Sequence, residues 1–491
     1  MPEQYDLVIR GGTVYDGSGA PGVRADLGVR GDRVASLGEL PEDATAGETI
    51  DATGLAVAPG FIDVHAHDDA LVFTEPDVTG KSMQGVTTVV NGNCGAGVVP
   101  YGGISRWGDA EGAPEWDSYA GYFAAIERHP PSINVAILVG YGTMRAGAMG
   151  GAGERRPPTE DEAARIREGL REGLEAGAVG MSTGLIYEPG RYTTTDELAM
   201  IARECADFGA LYASHTRNEG ARVLEAHAEA IEIGRRAGVA VQISHHKASG
   251  EANWGRVAES LAQIEEARAR GEDVTADQYP YTASSTVLAA MVQNAGQSGY
   301  ELDGESIIIA SCAGHEEWEG RSLAELAEEL DLPVDQAAAR ILDAVPSTLI
   351  VHHSMSEDDV RMVLVHPTTM IGTDGLGYGS KPHPRHFGSY PRILGKYVRE
   401  EGLLSLEAAI HKMTGMAAAK FDLPGRGVIA EGAVADLVLF DPATVAEVST
   451  YEDPRRAPAG MPHVIVNGVA VVRDGEHTHA RAGRPVLRGR E

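Results

Sequence analysis

The sequence predicts an α/β chain: a (β/α)8 barrel of the TIM type with a small β-sandwich domain built from both chain ends. Three observations predict it. Eight short apolar runs alternate with helical segments through the middle of the chain, the pattern of a parallel sheet with crossover helices. Both ends read as strands and tight turns with no helical period of useful length. Ligand-type residues sit where apolar runs stop, and barrel chemistry gathers at the C-terminal ends of strands.

From the N-terminus, Leu7-Val8-Ile9 is a short apolar strand, and Val29 and Val34 flank a two-residue turn at Gly31-Asp32. The barrel strands are expected at 57–65, 87–94, 133–140, 178–184, 210–215, 240–245, 273–279 and 369–374. Thr159 with Glu162, and Thr194 with Glu197, are capping-box pairs that start helices. Gly209 and Gly238 stand where helices end. The interval 282–367 is far longer than one crossover needs, so it reads as an insertion placed to cover the barrel mouth. A strand at 436–440 and a hairpin around Asn467-Gly468 close the chain. Neither end would bury enough apolar surface alone, which favours one discontinuous β-sandwich. The expected division is 1–57 and 425–491 for the sandwich and 58–424 for the barrel with its insertion. An open doubly wound sheet is the alternative, but no Gly-x-Gly-x-x-Gly follows the first strand.

The 491 residues include 41 Lys plus Arg against 72 Asp plus Glu, a formal charge of −31. Such a surface repels nucleic acid and anionic membranes, and an anionic substrate would need a local cationic pocket. Three cysteines make no disulfide framework. With no signal-like segment at the start and no apolar run of membrane-spanning length, a cytoplasmic location is expected.

His65 and His67 flank one alanine at the end of the first run. Side chains two apart on a strand share a face, so both imidazoles would enter one space, an arrangement suited to a divalent metal. The second run ends in Asn93-Cys94-Gly95, the fifth in Ser214-His215-Thr216, the sixth in Ser244-His245-His246-Lys247, and the eighth in Gly372-Thr373-Asp374-Gly375. Five coincident strand ends of this kind point to a metal site rather than to packing. His227, between Glu225 and Glu229, reads as a solvated helix position, and His477 with His479 as a pair lacking a third partner. Cys205 and Cys312 read as buried small side chains.

Nearly the whole chain resembles the amidohydrolase superfamily, and within it the D-aminoacylases (N-acyl-D-amino-acid deacylases). The resemblance rests on Gly60-Phe-Ile-Asp-Val-His-Ala-His67, Asn93-Cys94-Gly95, Ser182-Thr-Gly-Leu-Ile-Tyr187, Ser214-His-Thr-Arg217, Ser244-His-His-Lys247, Asp277-Gln-Tyr-Pro-Tyr281 and Gly372-Thr-Asp-Gly375. Hydantoinase-type relatives are expected to carry a carbamylated lysine on the fourth strand. None stands there, and Cys94 is the deacylase-type substitute, a thiolate supplying the negative charge. The resemblance implies a tight zinc held by Cys94, His215 and His245. His65 and His67 would hold a second, weaker divalent metal or stand beside the first. Asp374 would be the general acid/base for attack by zinc-held hydroxide on the amide. Lys247 and Arg385, with a tyrosine from Tyr279 or Tyr281, would grip the carboxylate of an N-acyl amino acid. Ile186, Tyr187 and Met355 are candidates for the side-chain pocket and suit an apolar D-residue, while His352 and His353 leave room for an acidic one. The competing readings are hydrolysis of another linear or cyclic amide (N-acyl-D-glutamate, dipeptide-like or dihydroorotase-like) and a non-catalytic binding protein on the same fold.

Overall fold

The computed structural model describes residues 4–41, 43–99, 113–295 and 302–490. Eight parallel strands follow one another in chain order around the barrel: Phe61–Asp63, Val86–Asn91, Asn134–Gly140, Gly180–Gly184, Leu211–His215, Val241–Ile243, Val274–Gln278 and Thr369–Ile371. Between the last and the first, the seam is closed by a parallel bridge of Ala66 with Gly375, and the Asp374 amide donates to the His65 carbonyl at 2.8 Å.

A nine-stranded sheet draws on both chain ends, with Ala56–Pro59 lying between Gln4–Val14 and Leu437–Phe440. The expected first barrel strand at 57–65 is therefore two strands. Ala56–Pro59 joins the terminal sheet, and the barrel begins after Gly60. A Cβ on Gly60 would stand 2.2 Å from the Thr87 side chain, so only glycine lets the chain step from one sheet to the other here. Both short strands are buried, which is why they read as one apolar run. The two expected hairpins form, with Arg30 opposite Arg33, and Val466 opposite Val469. Asn467 and Gly468 both take positive φ, as a type I′ turn requires.

Helix Glu160–Ala176 carries both arms of its capping box, and Ile166, Leu170 and Leu174 face the barrel. Fully burying each such side chain contributes about 1.5–3 kcal/mol. At Thr194 only one arm of the box forms: Thr194 accepts from the Glu197 amide, while the Glu197 carboxylate turns to Tyr141 and Arg145. Gly209 and Gly238 close their helices in the left-handed conformation.

The 282–367 interval divides. Ala283–Val287, Ile307–Ser311 and Leu349–His353 form a separate antiparallel sheet, backed by a cluster that includes Leu288, Ile309, Leu326, Ile341 and Ile350. Helix Glu357–Val365 instead packs on barrel helix Val257–Ala269 and leads into the eighth strand, so the excursion ends near His353. Its first strand is tied to the barrel mouth: the Tyr187 hydroxyl lies 2.9 Å from Thr286 Oγ1, and Arg385 Nη2 donates to the Ser285 carbonyl at 3.0 Å. Among the described residues no helix is long and apolar enough to cross a membrane.

Candidate metal and active site

Three residues at the barrel mouth hold left-handed backbone: Cys94 (φ 54°), His245 (φ 37°) and Asp374 (φ 48°). Such geometry is uncommon for side-chain-bearing residues and costs roughly 1–3 kcal/mol each. Specific contacts hold it. The His245 amide donates to Asp277 Oδ1 at 2.8 Å. The Asp374 amide is fixed to His65 across the seam. Gly184 packs on Cys94 so closely that a Cβ there would stand 2.1 Å from the Cys94 carbonyl oxygen. The turns aim all three side chains into one buried space.

Around Cys94 Sγ lie His65 Nε2 at 3.3 Å, His215 Nδ1 at 3.6 Å and His245 Nε2 at 3.6 Å. On the other side, Asp374 Oδ1 is 3.1 Å from His67 Nε2 and 3.4 Å from His65 Nε2. Two donor sets therefore share Cys94: Cys94, His215 and His245, and His65, His67, Cys94 and Asp374. Burial holds the His215 and His245 imidazoles well below their usual pKa and brings His67 down to about 4. These rings are neutral, with lone pairs available. Burial alone would raise the Asp374 pKa, but the Arg385 guanidinium and His65 hold it well below the usual carboxylate range.

Two carboxylates not assigned a role from the sequence orient these rings. Asp277 Oδ1 lies 3.1 Å from His65 Nδ1 while also accepting the His245 amide. Glu219 Oε1 is 3.0 Å from His245 Nδ1, and its Oε2 is 3.7 Å from His215 Nε2. Glu219 thus lies within hydrogen-bond distance of the far nitrogen of His245 and faces, without a hydrogen bond, that of His215; the near nitrogens of both rings face Cys94. The only sequence signal was its place four residues after His215. Beneath the seam, Asp63 accepts from Lys81 Nζ at 2.8 Å, from the Thr373 amide at 2.8 Å and from Thr373 Oγ1 at 2.7 Å. This buried knot joins the first and eighth strands just below His65 and Asp374.

The expected substrate-binding residues divide. Arg385 is wholly buried, with Nη1 2.9 Å from Asp374 Oδ2. Its guanidinium sits 4.4 Å above the Tyr279 ring. Its Nε has no hydrogen-bond acceptor among the described residues. Lys247 donates to Glu219 at 2.6 Å and to the His245 carbonyl at 3.0 Å. Ile186 and Tyr187 line the pocket over the site, with Ala290, Met291, Asn294 and His352. Two residues fall elsewhere. Tyr281 turns away, donating to Glu447 at 2.6 Å under the Arg392 guanidinium. Met355 lies behind the pocket wall, where its sulfur accepts from the Tyr279 hydroxyl at 3.6 Å. His227 is buried, its ring 4.6 Å from that of His246 and its pKa drawn down to about 4 by burial. His477 and His479 do have a third partner, Asp77, which Arg481 also engages.

A family model described as amidohydrolase family matches residues 48–304 and 348–472. A D-aminoacylase from Alcaligenes xylosoxydans xylosoxydans is 42% identical over 99% of this chain and 98% of its own. A solved D-aminoacylase, described by the one-metal activation and second-metal attenuation of its binuclear centre, superposes with a TM-score of 0.91 at 41% identity, covering 99% of this chain and 100% of its own. An N-acyl-D-glutamate deacylase from Bordetella bronchiseptica, solved with zinc and a phosphonate that mimics the tetrahedral intermediate, matches with a TM-score of 0.91 at 40% identity over the same shares.

Proposed function

The chain belongs to the amidohydrolase family, and from that premise we propose that it is a zinc-dependent enzyme deacylating N-acyl-D-amino acids to a carboxylate and a free D-amino acid. The observation that carries this reading is the meeting of Cys94, His215 and His245 opposite a carboxylate, Asp374, that is held ionised. The donor set fits the metal. Two ligands of one tetrahedral zinc, with bond lengths of about 2.3 Å to sulfur and 2.05 Å to nitrogen, stand about 3.6 Å apart. Both Cys94–histidine separations match that spacing. Cys94, His215 and His245 would hold the tight zinc. His65, His67, Cys94 and Asp374 would offer a weaker second site. When bound, zinc supplies Lewis acidity and water activation near neutral pH.

The remaining work belongs to the chain. Asp374 takes a proton from water and returns it to the leaving amide nitrogen, without which C–N cleavage stalls. Arg385 keeps that carboxylate ionised, and its Nε, which has no hydrogen-bond acceptor among the described residues, would take the substrate carboxylate. Lys247 adds positive charge beside it while Glu219 fixes its position. Away from Lys247, Glu219 and Asp374 on its metal side, the lining of the side-chain pocket is neutral. Ile186, Ala290 and Met291 are apolar, Ser284 and Asn294 carry no charge, and burial lowers the His352 pKa to about 4. This supports a neutral, largely apolar D-side chain.

The test is hydrolysis of paired N-acetyl-D- and N-acetyl-L-leucine, methionine and glutamate by zinc-loaded protein. Turnover confined to D-members, with leucine or methionine ahead of glutamate, is expected. Turnover of the L-series alone, or of neither series by protein shown to contain zinc, defeats the reading.

A further inference from the structure

The segment after the eighth strand carries Asp374 and Arg385, and it is fastened to the insertion. Ala283–Val287 lies at the edge of the insertion's three-stranded sheet, paired with Leu349–His353. Along an edge strand, carbonyls two residues apart point the same way. Two such carbonyls are taken from the same segment. His383 Nε2 donates to the Ala283 carbonyl at 3.0 Å, and Arg385 Nη2 donates to the Ser285 carbonyl at 3.0 Å.

His383 is wholly buried and stands outside the pocket over the metal site. Its partners fix one neutral tautomer. The Arg385 amide donates to Nδ1 at 3.0 Å, so Nδ1 carries the lone pair and Nε2 carries the proton. The rings of Tyr281 and Tyr451 meet the imidazole edge-on, each at 5.1 Å. Tyr281, expected at the substrate carboxylate, therefore stands one residue removed from it. Local capping does not account for the histidine. Arg385 opens helix Arg385–Arg392, and asparagine, aspartate or serine would accept its amide as well. Those side chains are too short to hold the neighbouring strand at the same time. Imidazole presents an acceptor and a donor on opposite sides of one rigid ring.

We propose that His383 is a positioning residue: it registers the insertion on the segment that carries Arg385 and thereby sets the grip on the substrate carboxylate. The proposal rests on the deacylase reading and deepens it. Arg385 has Nη1 2.9 Å from Asp374 Oδ2, Nη2 on Ser285, and Nε without an acceptor among the described residues. Moving its backbone moves all three nitrogens together. A misplacement of about 1 Å at such a group can cost about a hundredfold.

His383→Asn keeps a side-chain oxygen for the Arg385 amide but does not reach Ala283. Zinc-loaded full-length proteins, shown folded by circular dichroism, are assayed on N-acetyl-D-leucine. KM is expected to rise tenfold or more in His383→Asn, with kcat within threefold of wild type. In an Arg385→Lys background, which keeps the charge and loses the fork, the same substitution should change KM less than threefold. A smaller KM rise in the single variant, a loss confined to kcat, or an equal rise in both backgrounds overturns the proposal. If His383→Asn does not fold, His383→Gln replaces it. Its amide N–H spans to Ala283 and leaves the Arg385 amide without its acceptor, and the same outcomes decide. Should wild-type protein cleave no D-substrate, the deacylase reading fails, and hydrogen exchange judges the fastening. Exchange at least tenfold faster in peptides spanning 283–287 and 383–387 of the variant upholds it, and unchanged exchange removes it.

Discussion

Glu219 is the most informative position for the account of the metal site, because it stands behind the donors without being one of them. Its two oxygens face His245 Nδ1 at 3.0 Å and His215 Nε2 at 3.7 Å. Glu219→Gln keeps the volume and removes the charge. The amide oxygen could still accept from His245, but then the amide nitrogen faces His215 and the buried Lys247 ammonium loses its counterion at 2.6 Å. Outer partners of ligating histidines typically contribute ten- to hundredfold to metal affinity. That corresponds to about 1.4–2.7 kcal/mol. Because Glu219 lies within hydrogen-bond distance of His245 alone and only near His215, the loss should fall within that range without exceeding it. Competition between the protein and a chromophoric chelator for zinc measures it directly, with circular dichroism to show that the variant is folded. Zinc affinity within twofold of wild type in a folded variant would refute the role assigned to Glu219 and weaken the placing of zinc between His215 and His245.

Asp374→Ala should lower turnover by about 10²–10⁴-fold while zinc at Cys94 is retained; a metal assay beside the rate distinguishes this from lost metal, and near-normal turnover contradicts the acid/base role. Lys81→Met leaves Asp63 and Asp68 buried without their shared cation, and urea unfolding should show a loss of about 3–5 kcal/mol. A change below about 1 kcal/mol would mean that the seam does not depend on this knot. Lys412 is buried and donates to the Thr369 carbonyl at 2.9 Å, and burial lowers its pKa to about 8. In the unfolded chain a lysine titrates near 10.4, so between about pH 8 and 10.4 the unfolded state binds more protons. Stability of wild type relative to Lys412→Met should therefore rise across that window by up to about 3 kcal/mol. Parallel pH profiles for the two proteins would contradict the depressed pKa.

Much of this was legible because barrel strands are buried on both faces and stop abruptly at the functional end. Apolar runs therefore located the strands, and the residues just past them located His65, Cys94, His215, His245 and Asp374. The same continuity hid the step at Gly60, since the strands on either side of it are both buried. Glu219 and Asp277 escaped assignment because their roles depend on partners reached only through the closed barrel; Asp277 meets a ring 212 positions earlier. Tyr281 and Met355 follow the right strands but point elsewhere, and proximity in sequence does not fix direction. His227 had a readable signal. Its helix buries Val223, Ala226, Ala230 and Ile231, and His227 lies in that helical phase despite its flanking glutamates. Asp77 as partner to His477 and His479 could not be seen, because the contact joins residues about 400 apart.

The most direct test of the account is a zinc titration of metal-stripped protein assayed on N-acetyl-D-leucine. Turnover should be absent without metal and rise to a plateau near the first equivalent, with Cys94→Ala failing to recover. Full turnover by metal-free protein, or normal zinc activation of Cys94→Ala, would contradict the central claim that Cys94, His215 and His245 hold the catalytic metal.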